Sequence, residues 1–275
     1  MSSSRTYLFS VDVEDPRLLI ANGERFRSRV EPMTVRFLDW LDRHGFSATF
    51  FVVGDVARRH PDLVREIARR GHEIGCHSNR HIPLDQQSPD EFRADVSECI
   101  EALARCDARA VIGYRAPTCS LTKQTSWAYD VLGTLGIQYS SSVLPAPNPL
   151  YGWPEFGAAT RRMPSGVLEI PLTIGRVGPL RVPVGGGVYF RVLPFLLIAR
   201  AIDRRASEDA VTGYFHPYDI DEDQERFMHA GIKNNRFYHW LMFLNRGKVL
   251  PRLDRLVEKG LRIEPYKSYA ARFAA

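Results

Sequence analysis

Thr6-Tyr7-Leu8-Phe9-Ser10-Val11-Asp12-Val13-Glu14-Asp15 is the stretch on which the fold turns. Its β-branched and aromatic run reads as a buried strand, which leaves the carboxylates at the strand's C-terminal end. Four further strand candidates follow: Phe46 to Val53, His72 to Cys76 delivering His77, Ala110 to Tyr114 delivering Arg115 and Pro117, and Ala210 to Phe215 delivering His216. Polar residues far apart in the chain thus emerge at one kind of place, the exit of a strand. In a βα-repeat barrel that face holds the active site.

The segments between these strands carry helical signatures. Pro32 to Arg43 places Val35, Leu38 and Leu41 at helical spacing and stops at Gly45, and Pro61 to Arg70 opens on proline and stops at Gly71. Ser88-Pro89-Asp90-Glu91 is a capping box that starts a helix striped by Phe92, Val96, Cys99, Ile100 and Leu103. Thr122 to Leu135 predicts another helix, and Ile137 to Val143 another strand. The order predicts an α/β fold, barrel-like, in one large domain over residues 1–275. Pro145 to Gly157, rich in Pro, Gly and aromatics, reads as a boundary or as a loop across the barrel mouth.

Composition removes several function classes. The net charge of +5 is 37 basic against 32 acidic residues; only five of the basic residues are lysine, and they are dispersed rather than clustered with stacking aromatics, so no nucleic-acid partner is expected. No apolar run is long enough to span a bilayer, and no secretory signal precedes the first strand; the expected location is cytoplasmic. Cys76, Cys99, Cys106 and Cys119 require no disulfide framework, and strand alternation turns Cys76 into the core, away from His77.

His77 and His81 stand four apart, so on one face of a helical turn their imidazoles would grip one metal ion. Gly185-Gly186-Gly187 lacks the Lys-Ser/Thr ending of a nucleotide loop and predicts a close backbone approach near the pocket. Tyr114 and Trp153, with Tyr151 and Tyr189, are candidate sugar platforms.

In chain order, Ser10-Val11-Asp12-Val13-Glu14-Asp15, His77-Ser78-Asn79-Arg80-His81, Arg115-Ala116-Pro117 and His216 resemble the successive motifs of the NodB-homology polysaccharide deacetylases, carbohydrate esterase family 4. Leu168 to Pro171, Pro183 to Arg191 and Tyr214 to Asp221 resemble the subgroup associated with exopolysaccharide and exosortase gene clusters, which gives the chain a subgroup-specific part from about residue 145. The resemblance implies a distorted barrel of about seven strands and a divalent metal, commonly zinc. It also implies hydrolysis of an N-acetyl group on an amino sugar or saccharide precursor. It assigns Asp12 as base, held by Arg115, and His216 as general acid; the metal falls to His77, His81 and either Glu14 or Asp15. Tyr114, Pro117 and Trp153 are expected beside the substrate, with peptide N–H groups in Ala116 to Cys119 facing the developing oxyanion. The family's usual opening has two adjacent aspartates, whereas here Val13 separates Asp12 from Glu14. The alternatives are an allantoinase-like or deformylase-like amidohydrolase, some of which need no metal, and a carbohydrate-binding relative without turnover.

Overall fold

The computed structural model describes residues 5–106, 108, 110–148, 150–177, 180–206, 209–229 and 234–273. Along the chain run β1 (Arg5–Val13), α1 (Val30–His44), β2 (Thr49–Val52), α2 (Gly54–Arg59), α3 (Pro61–Arg69), β3 (Glu73–Cys76), α4 (Pro89–Ala104) and β4 (Gly113–Tyr114). Then come α5 (Ala128–Thr134), β5 (Tyr139–Ser140), β6 (Arg161–Arg162), β7 (Leu168–Glu169), β8 (Ile174–Val177), β9 (Leu180–Pro183), α6 (Gly187–Val192) and α7 (Phe195–Ala206). β10 (Val211–Phe215), α8 (Arg236–Phe243), α9 (Val249–Glu258), β11 (Leu261–Glu264) and α10 (Tyr266–Ala270) complete the order.

The fold is α/β, a curled and incompletely closed barrel. Its sheet runs β10-β1-β2-β3-β4-β5-β7-β6. The first seven of these are parallel, β6 is antiparallel at the far edge, and β11 joins the lower half of β1. The expected barrel of about seven strands is therefore met by the seven parallel strands, with β6 and β11 added.

Strand alternation sorts the side chains into two layers. The odd positions of β1, Tyr7, Phe9, Val11 and Val13, lie in the larger core beneath the helices, where Phe9 packs on Phe37, Trp40 and Phe215 at centroid separations of 5.9, 5.8 and 5.3 Å. Leu8, at an even position, belongs to the separate core inside the barrel with Phe51, Tyr139 and Tyr266. Above Leu8, the same inward column continues as Ser10 and Asp12. An apolar floor thus grades into polar chemistry along one strand.

Helix α4 starts at the capping box, with both Ser88 and Glu91 bonds made. The helix expected from Thr122 begins only at Ala128, because Thr125 Oγ1 accepts from Thr122 N and donates to Ser120 O, bonds that hold the preceding turn outside helical geometry. The short α2 was not expected. No helix among the described residues is long and apolar enough to cross a membrane.

Between β7 and β10 the sheet is closed by side chains. Thr173 N donates to Thr212 Oγ1 at 2.6 Å and Thr212 N donates to Thr173 Oγ1 at 2.9 Å. Gly185 and Gly186 lie against this seam, where a Cβ would come within 2.0 Å of Thr212 O and 1.8 Å of Tyr214 O. The close backbone approach expected of the glycine run is made here, onto β10. Thr212→Val keeps the shape but leaves the buried Thr173 N–H without its acceptor. We expect a loss of about 1–3 kcal/mol in urea unfolding, with Thr212→Ser close to wild type.

Candidate active site

Alternation that builds the core also builds the site. Inward positions at the strand exits gather Asp12 near the end of β1 and Glu14 just past it, His77 after β3, Arg115 after β4 and His216 after β10. Asp12, Glu14, His77, His81, His216 and Asp219 line one cavity of about 290 Å³. Its other walls include Ala116, Thr118, Cys119, Tyr189, Arg191, Tyr214 and Tyr218.

Arg115 is fully buried and its five N–H donors are all engaged. Nη1 donates to Ser10 Oγ at 2.7 Å and to Asp12 Oδ1 at 3.0 Å; Nε donates to Ser141 O at 2.9 Å; Nη2 donates to Ser141 Oγ at 3.1 Å and to the Tyr266 hydroxyl at 3.0 Å. The guanidinium also lies 4.4 Å from the centroid of Phe51. Burial disfavours its charge, but the facing Asp12 carboxylate outweighs this with the Tyr266 hydroxyl and leaves the pKa above its ordinary value. Arg115 therefore holds Asp12 as a fixed carboxylate.

Glu14, His77 and His81 are buried and bring their ligand atoms within 4.8 Å of one another. Glu14 Oε2 is 2.5 Å from His81 Nε2 and 3.6 Å from His77 Nε2. His77 Nδ1 is 2.8 Å from Arg115 O, an arrangement that puts its proton on Nδ1 and leaves the Nε2 lone pair toward Glu14. Burial would raise the Glu14 carboxyl, yet the His81 imidazole, with His216 beyond, holds it well below the ordinary carboxylate range. Two imidazoles and a carboxylate, one imidazole oriented from behind, fit a divalent cation with positions left open.

The two histidines do not meet on a helical turn. Ser78 and His81 have φ of 63° and 58°, and the loop is pinned where Asp95 accepts from Asn79 N at 2.7 Å and from Arg80 N at 3.2 Å. His81 N donates to Ser78 Oγ at 2.8 Å. Asp95 carried no signal in the sequence beyond a buried position on an otherwise apolar helix stripe.

His216 sits opposite, its Nε2 4.0 Å from Glu14 Oε1. Its Nδ1 lies 2.9 Å from Asp219 Oδ2, which also accepts from His216 N at 2.8 Å. Burial would lower its pKa, but the Asp219 carboxylate, with Glu14 and Asp12 beyond, pushes it up to about 9. The ring stacks on Tyr218 at 4.6 Å, and the Tyr218 hydroxyl donates to Glu14 Oε1 at 3.0 Å. Tyr218 and the arginine partners Ser10, Ser141 and Tyr266 were missed in the sequence, because their roles depend on contacts between distant segments.

Four expected site residues are placed elsewhere. Asp15 caps the 3₁₀ turn Pro16–Leu19 and is bound by Arg17, so Glu14 supplies the carboxylate facing the histidines. Tyr114 precedes the inward Arg115 and so faces outward, fully buried against Phe92. Pro117 is buried and starts a 3₁₀ turn whose Thr118 and Cys119, rather than Pro117 itself, line the cavity. Trp153 packs on Phe156, while Asn148 and Leu150 from the same segment reach the cavity wall. Among the amides of Ala116 to Cys119, Ala116 N donates to Ser142 Oγ and Cys119 N to Ala116 O, which commits both to the protein.

Removing Arg115 would leave Asp12 buried without its counter-charge. Arg115→Met is expected to cost about 3–5 kcal/mol in urea unfolding, whereas Asp12→Asn, which keeps an acceptor for Arg115, is expected to cost less. The raised His216 pKa favours the folded state fully below about 6.5, the ordinary histidine value, and that contribution disappears as pH rises through about 9. In protein stripped of divalent ions, Asp219→Asn should lower the His216 titration midpoint by at least about one unit in an NMR titration; an unchanged midpoint would show that Asp219 does not charge this ring.

Residues 25–139 match the family model described as polysaccharide deacetylase, and residues 141–268 match a domain of unknown function, DUF3473. The chain is 36% identical over 98 residues to a Bacillus cereus peptidoglycan-N-acetylglucosamine deacetylase, a match covering 35% of this chain and 36% of that protein. It is 30% identical over 99 residues to a chitooligosaccharide deacetylase of Rhizobium leguminosarum bv. trifolii, covering 36% and 43%. These matches therefore span less than half the length of either relative. Among solved structures, a Mycobacterium smegmatis protein assigned provisionally as a polysaccharide deacetylase superposes with a TM-score of 0.66 at 19% identity, covering 99% of this chain and 91% of that one. A Bacillus anthracis pseudoenzyme of the CE4 family superposes with a TM-score of 0.54 at 12% identity, covering 98% and 66%. These likenesses establish the fold.

Proposed function

We propose that this chain, which carries a polysaccharide deacetylase domain, hydrolyses the N-acetyl group of an amino sugar during polysaccharide or glycoconjugate synthesis, with a divalent cation, zinc first among them, held by Glu14, His77 and His81. The observation that carries this reading is the convergence of the Asp12–Arg115 pair, the Glu14–His77–His81 group and the His216–Asp219 pair on one cavity.

An amide is a weak electrophile with a poor leaving group, so hydrolysis needs an activated water, a polarised carbonyl and a proton for the departing nitrogen. The bound ion would supply Lewis-acid polarisation of the carbonyl oxygen. Asp12, aimed by Arg115, accepts the proton of the attacking water as its oxygen bonds to the acetyl carbon. His216 gives a proton to the nitrogen as the carbon–nitrogen bond breaks, yielding acetate and a free amine. Asp219 keeps the His216 proton-bearing face fixed and favours its charged form. Tyr218, bonded to Glu14 and stacked on His216, couples the position of the ligand carboxylate to that of the acid. Tyr189 and Tyr214 offer apolar wall to a sugar ring.

A panel of N-acetyl and N-formyl amino sugars and short oligosaccharides tests the reading. Acetate release should vanish on chelation, return with zinc or another divalent ion, and be lost together with bound metal in His77→Ala. Asp12→Asn should keep metal content while turnover falls by roughly 10²–10⁴-fold. Loss of metal from Asp12→Asn would place Asp12 among the ligands instead. Hydrolysis of allantoin without a metal, or saccharide binding with no product from an intact metal site, would overturn the proposal.

A further inference from the structure

Beside the cavity, α8 carries a row of uncovered aromatics. Phe237, Tyr238 and Trp240 are 61%, 48% and 49% exposed, with the Phe237 and Trp240 rings 6.0 Å apart. α6 packs against α8 and leads into α7, whose Leu196 and Leu197 are 55% and 37% exposed. The cavity wall includes Met242 from α8 and Tyr189 from α6, so this apolar face adjoins the cavity. Water-exposed clusters of this size are costly unless something covers them.

Charge identifies the cover. Residues 226–259 contain eight Lys or Arg against two Asp or Glu, a surplus of six, while the surplus of the whole chain is five. The segment that bears the aromatics is thus cationic, and five of its cations face water. Arg226, Arg236, Lys248, Arg255 and Lys259 are exposed. Arg255 and Lys259 lie over the Phe195 ring at 4.1 and 5.8 Å, next to Leu196 and Leu197. Aromatic and aliphatic side chains flanked by cations are the chemistry of a surface that sinks into the headgroup layer of an anionic membrane. A neutral saccharide would leave the cations unused. A second copy of the chain, docked by the same face, would bring one positive surface against another.

We propose that α8, with the α7 start and its cationic surround, docks this protein on an anionic lipid bilayer beside the cavity. The proposal stands independently of the reaction assigned to the site. Full-length protein is mixed with vesicles of phosphatidylcholine alone or with phosphatidylglycerol added, and binding is read by co-sedimentation and by the emission of Trp240, against Trp240→Phe. We expect binding to the anionic vesicles only, a blue shift of the Trp240 contribution, and weakening with added salt. Phe237→Ser with Trp240→Ser should weaken binding by about tenfold or more, and Arg236→Glu with Lys248→Glu should do the same, each with an unchanged circular dichroism spectrum. Absence of binding to anionic vesicles overturns the proposal, as does binding indifferent to both double substitutions. A Trp240 response to soluble chitooligosaccharides without vesicle binding would reassign the face to saccharide. Self-association abolished by Phe237→Ser, again without vesicle binding, would reassign it to a second copy.

Discussion

The buried Arg115 guanidinium is the constraint on which the site rests. Its five hydrogen bonds tie β1, through Ser10 and Asp12, to the segment after β5, through Ser141, and to α10, through Tyr266. A charge removed from water is tolerated only when its donors are satisfied and a counter-charge is near, and those partners come from three separate segments of the chain. The backbone on the other side of the same residue is used as well, since Arg115 O meets His77 Nδ1. One residue therefore orients a carboxylate and an imidazole that belong to different chemical groups in the cavity. Glu169 supports the arrangement from below, accepting from Ser142 N and Val143 N at 2.8 Å each and so fixing the loop that carries Ser141.

The barrel's open seam explains how His216 reaches its place. β10 arrives late in the chain and joins β1 by a backbone ladder on one side. On the other side Thr173 and Thr212 substitute side-chain bonds for a ladder, and the glycine run lies against the β10 carbonyls at distances that no side chain would permit. The turn after β10 is then secured by Asp219 to His216 and by Asp221 to Arg29 at 2.9 and 2.7 Å, the latter reaching the residue that precedes α1. His216 is consequently positioned by contacts with the first third of the chain. The two matched family segments, 25–139 and 141–268, each hold only part of the cavity, while Asp12 and Glu14 precede both.

Much of this was legible in the sequence because strand exits are local signals. Apolar runs ending in Asp12, His77, Arg115 and His216 announce both a strand and the residue it delivers, and helix boundaries at Ser88 and Gly45 follow from capping chemistry. What was not legible lies in interactions between segments. Nothing in the neighbourhood of Tyr266 or Ser141 marks it as a partner of Arg115, and nothing around Asp95 marks it as the anchor of the His77–His81 loop. The histidine spacing suggested a helical turn, whereas two left-handed residues and an acid from α4 produce the same convergence by another route.

Parity along the strand settles the departure from two adjacent aspartates. Successive side chains of β1 alternate between the helix-covered core and the barrel interior, so Asp12 and Glu14, two apart, share the inward direction while Val13 between them is buried on the outer side. Adjacent acids at this exit would need a bend in the chain to face the same cavity. Spaced acids need none, provided that the strand keeps its register to Val13, and the β1–β2 pairing of Asp12 with Phe51 and Val13 with Val52 keeps it. Asp15 falls beyond the strand, where its carboxylate accepts from Arg17 N at 3.1 Å and caps the following turn. The same rule turns Tyr114 outward beside the inward Arg115 and Cys76 outward beside the inward His77. A count of residues from the strand exit therefore separates wall from core at each of these positions, which the identity of the side chain alone does not.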